Sequence, residues 1–461
     1  MTHQRSTPAR ESAITSAANG VRARRSLGSI RGRATSGADR IDDRGNPGGT
    51  GARHERRITI ALFAAGLTTF ASMYSMQALL PSLSAAFGAT PAHAALAVSL
   101  TTGLLALAII PAGVLSSRFG RTRVMIASAV TASVIGLLLP FSPSLEVLLA
   151  GRALQGITLA GVPAVAMAYL AEEVGAGGLG AAMGIYISGT TLGGLAGRLI
   201  PSFTLEAATW RWAAAAVAVA AALCAIWFAR QLPASRRFTP QPFELRVMAA
   251  DFAEHLRNPR LLALFVLAFV LMGGFVSIYN FLGYRLIAAP FRLSDSTAGL
   301  VFLLYLAGTV SSTAGGRMAD RVGRGRVLTV SVITMAAGTG ITLPNYLPSL
   351  LVGVLLCTAG FFGAHSVASA WVGSAATGNR AGASSLYMFA YYLGSSIVGG
   401  AAGFVYGRHG WVGVAVYVGV LLAVAAGLTA SLVLRSRERH REPAAAHDSV
   451  SIQGPSNGAT R

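Results

Sequence analysis

The sequence predicts an all-α membrane protein of twelve transmembrane helices, arranged as two parallel six-helix halves. Three observations lead there. Of the 461 residues, 53% are hydrophobic and only 12% charged, with a mean hydropathy of +0.58; soluble domains carry about twice that charged fraction. Apolar stretches of roughly 20 residues, enough to cross a ~30 Å hydrocarbon core, recur along almost the whole length. One eleven-residue phrase is also written twice, as GVLSSRFGRTR at 113–123 and GRMADRVGRGR at 316–326. Gly113, Arg118, Gly120, Arg121 and Arg123 match Gly316, Arg321, Gly323, Arg324 and Arg326, each pair 203 positions apart. Each copy sits where one apolar run ends and the next begins, the mark of two similar halves.

Residues 1–57 are rich in Arg, Ser, Gly and Ala, with no apolar period. They are expected to form a disordered basic cytoplasmic tail or to reflect a start codon chosen too far upstream. Asp39, Asp42, Asp43 and Glu55 argue against a transit peptide. Spans at about 58–80, 93–115, 124–141, 146–170, 180–201 and 211–232 make an N-terminal bundle over 58–232. A cytoplasmic linker at 233–259 follows, punctuated by Pro233, Pro240 and Pro242 and then helix-compatible over 243–257. Spans at about 261–284, 297–316, 327–345, 349–373, 381–405 and 411–434 make a C-terminal bundle over 260–434. Residues 435–461 are expected to be a second disordered cytoplasmic tail.

The repeat extends beyond the hairpin. GIYISGTTLGG at 184–194 aligns with SLYMFAYYLGS at 385–395, pairing Tyr186 with Tyr387, Leu192 with Leu393 and Gly193 with Gly394 at an offset of 201. Trp210 and Trp411, also 201 apart, each lie near the start of the sixth span of their half. A nearly constant offset means parallel halves. Small residues recur every four positions in Gly189, Gly193 and Gly197, in Gly308, Ser312 and Gly316, and in Ser395, Gly399 and Gly403. Each stripe shares a helix face and suits close packing; as a set they fit two halves that rock against each other.

The net charge of +20 does not point to nucleic acid. All 37 basic residues are arginine, twelve of them within the first 57 positions. Most others fall in alternate loops, including Arg118, Arg121 and Arg123, Arg230 to Arg260, and Arg317 to Arg326. The remaining loops hold only Arg211, Arg285, Arg292 and Arg408. This bias places both termini and the linker in the cytoplasm. Cys224 and Cys357 lie inside spans as small apolar residues. No metal-ligand spacing, buried acid pair or Ser/His arrangement appears, so neither an enzyme nor a cofactor is expected.

At this point the chain resembles a major facilitator superfamily transporter over roughly residues 58–434. GVLSSRFGRTR is similar to the family's loop between spans two and three, with Ser117 where an aspartate is usual. The echo between spans eight and nine keeps the acid as Asp320. GRALQG supplies an arginine in span four, Arg152, followed by Gln155 and Gly156. SGTTLGGLAGR stands for the glycine-rich fifth-span run of proton antiporters, without its proline. With FFGAHSVASAWVG and YYLGSSIVGG, the wording resembles the YnfM-type branch of bacterial inner-membrane exporters, grouped with drug and arabinose efflux proteins. The resemblance implies alternating access in the inner membrane, with protons as the coupling ion and a small organic compound as substrate. A facilitator or importer of a sugar or metabolite is the transport alternative; a sensor or scaffold is the non-transport one. The lipid bilayer is the expected surrounding, and a monomer the expected working form.

Within that frame the hairpins become a cytoplasmic gate made of Gly113, Arg118, Gly120, Arg121, Asp320, Arg321, Gly323 and Arg324. Glycines allow the tight turn, arginines complement helix carboxyl ends, and Asp320 is expected to hold an arginine as Ser117 does not. Arg152, costly inside a bilayer by ~2.5–3.5 kcal/mol, and His365, whose unperturbed pKa of ~6.5 suits proton exchange, are the coupling candidates. His365 is expected at about the depth of Tyr387 and Tyr391. Arg198 lies nearer a span end, where snorkelling or an ion pair with Glu146 or Glu206 is expected. Tyr74, Gln77, Gln155, Tyr186, Thr190, Tyr279, Asn280, Tyr305, Tyr387, Tyr391 and Tyr392 are expected to line a substrate cavity. No Asp or Glu lies well inside a span, which disfavours a polycationic substrate and leaves a neutral, weakly polar or anionic one.

Overall fold

The computed structural model describes residues 47–174, 176–236, 238 and 245–450. Expectations for 1–46 and 451–461, and for Pro240 and Pro242, fall outside those residues. In chain order the helices are α1 (Pro47–Tyr74), α2 (Leu80–Phe87), α3 (Pro91–Phe119), α4 (Arg121–Leu138), α5 (Leu145–Leu159), α6 (Gly161–Glu173), α7 (Ala176–Leu205) and α8 (Trp210–Gln231). They continue as α9 (Leu245–Arg257), α10 (Pro259–Ile287), α11 (Asp295–Leu300), α12 (Ala307–Val322), α13 (Arg324–Ile341), α14 (Leu347–Ala375) and α15 (Arg380–Val450). Helix starts carry their signals in sequence. Thr90 caps α3 ahead of Pro91, Ser144 caps α5, and Asn258 caps α10 ahead of Pro259.

Ten of these helical stretches among the described residues are long and apolar enough to cross a membrane. Two joined pairs are single crossings: α5 with α6, and α11 with α12 through a 3₁₀ turn at Val301–Leu306. The stretch from Arg380 to Arg435 is two, because the chain breaks helix at Gly410 (φ 59°, ψ −151°). Adding the 18-residue α13, whose two arginines dilute its hydropathy, brings the crossings to the expected twelve. Trp210 opens α8, and Trp411 directly follows the Gly410 break, as their shared offset predicts. Large apolar side chains such as Leu107, Val134, Leu223, Val330, Phe404 and Val420 stay exposed, the composition a lipid-facing surface requires.

Two tail boundaries differ from expectation. The first helix already begins at Pro47, and the last runs on to Val450. Arg, Glu and Ala are strong helix formers, so polarity alone does not end a helix there. The linker helix α9 lies within the 243–257 stretch that sequence marked as helix-compatible.

Twelve crossings put the start of α1, the linker helix and both hairpins on one face, termed here the basic face. The halves meet from mid-bundle to the opposite face. Tyr284 donates to Leu80 O at 2.8 Å and lies 2.6 Å from Ser84 Oγ. Glu206 accepts the Ser296 N–H at 3.1 Å, which holds its carboxyl below the usual carboxylate range. Close approaches of α3 to α15 leave no room for side chains: a Cβ on Gly103 would stand 2.4 Å from Ser396 Oγ, and one on Gly403 2.6 Å from Ala92 Cα. Toward the basic face the packing is more open around α3 and α7. Gly113 and Gly184 have nothing within 4 Å of a built Cβ, and Ile185 and Ile187 are exposed.

The small-residue stripes divide between two roles. Built Cβ atoms on Gly189, Gly193 and Gly197 would fall 2.3, 2.4 and 2.5 Å from the carbonyls of Phe63, Leu67 and Ala71. This is a zipper between α7 and α1 inside one half, and Gly308 likewise abuts Phe362 of its own half. Only the α15 stripe reaches across the halves, through Gly403. That stripe therefore lies between the halves, while the others hold their own bundle together.

Candidate functional site

Arg152 is fully buried on α5. Its Nε donates to Ala97 O (2.8 Å), Nη1 to Ser72 O (2.9 Å) and Gln155 Oε1 (2.5 Å), and Nη2 to Met73 O (2.7 Å). Gln155 Nε2 then donates to Ala132 O at 3.0 Å. A Cβ on Gly156 would lie 2.3 Å from Thr101 O, so only glycine lets α5 and α3 approach this closely. The Arg-x-x-Gln-Gly pattern thus ties α1, α3, α4 and α5 together. It satisfies carbonyls freed where α1 unwinds after Tyr74.

Arg198, 1% exposed on α7, behaves differently from the expected snorkelling side chain. It makes no ion pair with Glu146 or Glu206; the ion pair recorded among the described residues is Arg121–Glu172. Its Nε donates to Gln77 Oε1 and its Nη1 to Gly194 O, both at 2.6 Å. The guanidinium carbon lies 4.3 Å from the ring centre of Tyr74, 4.8 Å from Tyr305, 5.6 Å from Phe302 and 5.8 Å from Tyr279. The α7 zipper presses its carrier helix against α1, which turns the side chain inward. Gln77 Nε2 donates onward to Asn280 Oδ1 at 2.6 Å, linking the two halves.

His365, half-buried on α14, has its Nδ1 3.0 Å from Tyr387 Oη and its ring 4.7 Å from Tyr391, realising the expected common depth. An aromatic run joins it to the arginine cage: His365 to Phe361 (5.9 Å), Phe361 stacked on Phe275 (4.0 Å, 7°), and Phe275 to Tyr279 (4.6 Å). Tyr74, Gln77, Tyr279, Asn280 and Tyr305 therefore gather around Arg198, while Tyr387 and Tyr391 gather around His365, with Tyr392 edge-on to Tyr391. Three expected cavity residues lie apart. Gln155 belongs to the Arg152 node, Tyr186 packs in the first half's core near the basic face, and Thr190 bonds its own helix at Ile187 O. Sequence reasoning missed Phe275, Phe302 and Phe361, because phenylalanines in apolar spans carry no polar signal.

At the hairpins, Gly120 (φ 99°, ψ 140°) and Gly323 (φ 92°, ψ 142°) adopt the same left-handed backbone between successive helices. Arg121 bonds Glu172 bidentately, through Nη2 at 2.9 Å and Nε at 3.2 Å, and donates to Ser116 Oγ at 2.7 Å. Arg324 bonds Ser374 Oγ. Ser117 bonds only Val114 O of its own helix. Asp320, expected to hold an arginine, is exposed and makes no hydrogen bond or ion pair among the described residues. The arginine of its hairpin reaches past it to the end of α14. Arg118 rests over Phe119 at 5.5 Å.

The profile of the Major Facilitator Superfamily matches residues 61–288 and 278–456. The chain is 40% identical over 377 residues to the uncharacterized MFS-type transporter YybF of Bacillus subtilis (strain 168), covering 82% of this chain and 93% of YybF. It is 42% identical over 369 residues to the inner membrane transport protein YnfM of Escherichia coli (strain K12), covering 80% and 88%. Among solved structures it is similar to a bacterial homologue of the human lysosomal transporter Spinster in an inward-facing and occupied conformation. That likeness has a TM-score of 0.67 at 15% identity, covering 83% of this chain and 97% of that one.

Proposed function

The chain belongs to the major facilitator superfamily, and from that premise we propose that it expels a small organic compound across the bacterial inner membrane in exchange for protons. The carrying observation is that the inter-half contacts run from mid-bundle to one face, with open space at Gly113 and Gly184 toward the other, which supports one end state of alternating access. The arginine bias makes the basic face cytoplasmic, so this state opens inward. The gate residues Gly113, Arg118, Gly120, Arg121, Asp320, Arg321, Gly323 and Arg324 border that opening and act when it closes. The resemblance to exporters of the YnfM type supports outward direction, and no second copy is required by this scheme.

His365 is the proton-carrying group of the proposal, since its ring nitrogen shares a hydrogen bond with Tyr387 beside the aromatic run. Arg152, whose acceptors are backbone carbonyls and Gln155, is assigned a holding role instead of a coupling one. Proteoliposomes with an imposed pH gradient test both assignments against a compound library. His365→Gln is expected to abolish uphill accumulation while leaving downhill flux; undiminished accumulation sinks the assignment. Arg152→Ala is expected to lose ~1–3 kcal/mol of stability, because it strands buried carbonyls. A facilitator would equilibrate its substrate in every variant without accumulating it.

A further inference from the structure

We propose that Arg198 is the subsite for a carboxylate or sulfonate of the substrate, which is therefore an organic acid with a flat apolar body. This rests on the transport reading above. Arg198 is a buried cation whose hydrogen-bond acceptors, Gln77 Oε1 and Gly194 O, are both neutral. No Asp or Glu comes within ion-pair distance of it among the described residues. Four aromatic rings return ~0.5–2 kcal/mol each toward a desolvation penalty of several kcal/mol for one guanidinium, but none supplies a counter-charge. A buried charge held in that condition within a membrane span marks a ligand pathway.

Arg152 is the internal control. It is equally buried, yet its partners all come from its own half and would be unchanged by any movement between halves. Arg198 is held by Gln77, Gly194 and Tyr74 of the first half, but by Tyr279, Phe302 and Tyr305 of the second. Its environment is thus rebuilt each time the halves part. A second donor lies on the same chain of bonds: Asn280, 0% exposed, accepts from Gln77 through Oδ1 while its Nδ2 has no acceptor. A guanidinium and an unpaired amide N–H together suit the oxygens of an acid. The Phe275–Phe361 stack, continuous with Tyr279, makes an aromatic wall beside the cation against which an apolar body would pack as the halves part.

The arrangement also links recognition to movement. An acid reaching Arg198 from the basic face competes with the second half's rings for the same cation. Binding therefore weakens the seal on the opposite face and favours opening there.

The test uses the purified full-length protein and three probes of one shape: 2-naphthoate, 2-naphthamide and 2-naphthylmethylammonium. Thermal-shift titrations are expected to show 2-naphthoate binding at least about tenfold more tightly than either relative. Arg198→Gln is expected to erase that preference. Because that variant could fail to fold, Gln77→Glu supplies a second arm: its carboxylate pairs with Nε from within and is expected to reduce naphthoate affinity about tenfold, more than it reduces that of naphthamide. Equal binding of the three probes, no binding of naphthoate, or full naphthoate affinity in Gln77→Glu overturns the proposal. Gradient-driven flux measured alongside keeps the readings distinct. Flux of an amine with indifference to naphthoate overturns the anion subsite and leaves transport standing; naphthoate binding without any flux does the reverse.

Discussion

The two basic hairpins share a phrase and a backbone, but not a circuit of charge. In each, a glycine with φ above 90° joins two helices. In each, the arginine after it reaches about fifty residues ahead, Arg121 to Glu172 and Arg324 to Ser374. The acid has changed place between the copies. The first has Ser117 in the last turn before the glycine and Glu172 at the later helix end; the second has Asp320 in that last turn and Ser374 at the later helix end. In this conformation the first hairpin is closed on itself by an ion pair within one half, whereas the second has a carboxylate without a partner among the described residues. Under the proposed gating role, the hairpin already paired holds its own bundle, and the unpaired acid is the one available to a partner that would arrive when the basic face closes.

Breaking the shared backbone should have the largest effect. Gly120→Ala and Gly323→Ala each force a side chain into a conformation that glycine alone adopts readily, at ~1–3 kcal/mol. Nothing lies within 4 Å of either Cβ position, so the two losses should match; unequal melting temperatures would show that the turns are not equivalent. Next comes the ion pair. With side chains 18% and 30% exposed, Arg121 and Glu172 should contribute about 1 kcal/mol. Glu172→Gln is expected to remove it, while Ser374→Glu is expected to add a similar amount to the second hairpin. A stability unchanged by both would reduce the contrast to geometry without energetic content. Smallest in stability is Ser117→Asp, which puts an acid in the first hairpin where the second has Asp320. It should shift the balance between open and closed basic faces, read as altered labelling of a cysteine placed at exposed Ser188. An unchanged pattern would leave the hairpins as topology signals alone.

Much of the fold was legible because bilayer crossing imposes a length and composition on every span, and duplication repeated the evidence. The site was legible only in part. Tyr74, Gln77, Tyr279, Asn280 and Tyr305 were identifiable as polar groups in costly surroundings, and they do converge. Arg198 was assigned to the membrane edge by its distance from the span end, a measure blind to the zipper that turns it inward. The phenylalanines of the aromatic run were indistinguishable from lipid-facing ones. Gln155 and Tyr186 share the polarity of the residues around Arg198 but serve packing, a distinction that depends on which helix faces which.

By itself, the sequence determined the membrane class, the twelve crossings, the two parallel halves and the turns at Gly120 and Gly323. Hydrophobic length, charge bias and a positive φ are local demands, read one segment at a time. Tertiary structure alone decided which buried arginine is stapled to carbonyls and which is caged by rings. It also decided which glycine stripe is a fixed zipper and which hairpin holds an ion pair. Those outcomes depend on partners roughly 50 to 200 residues away in the chain, and the energy of a buried charge is set by those partners and not by the residue itself.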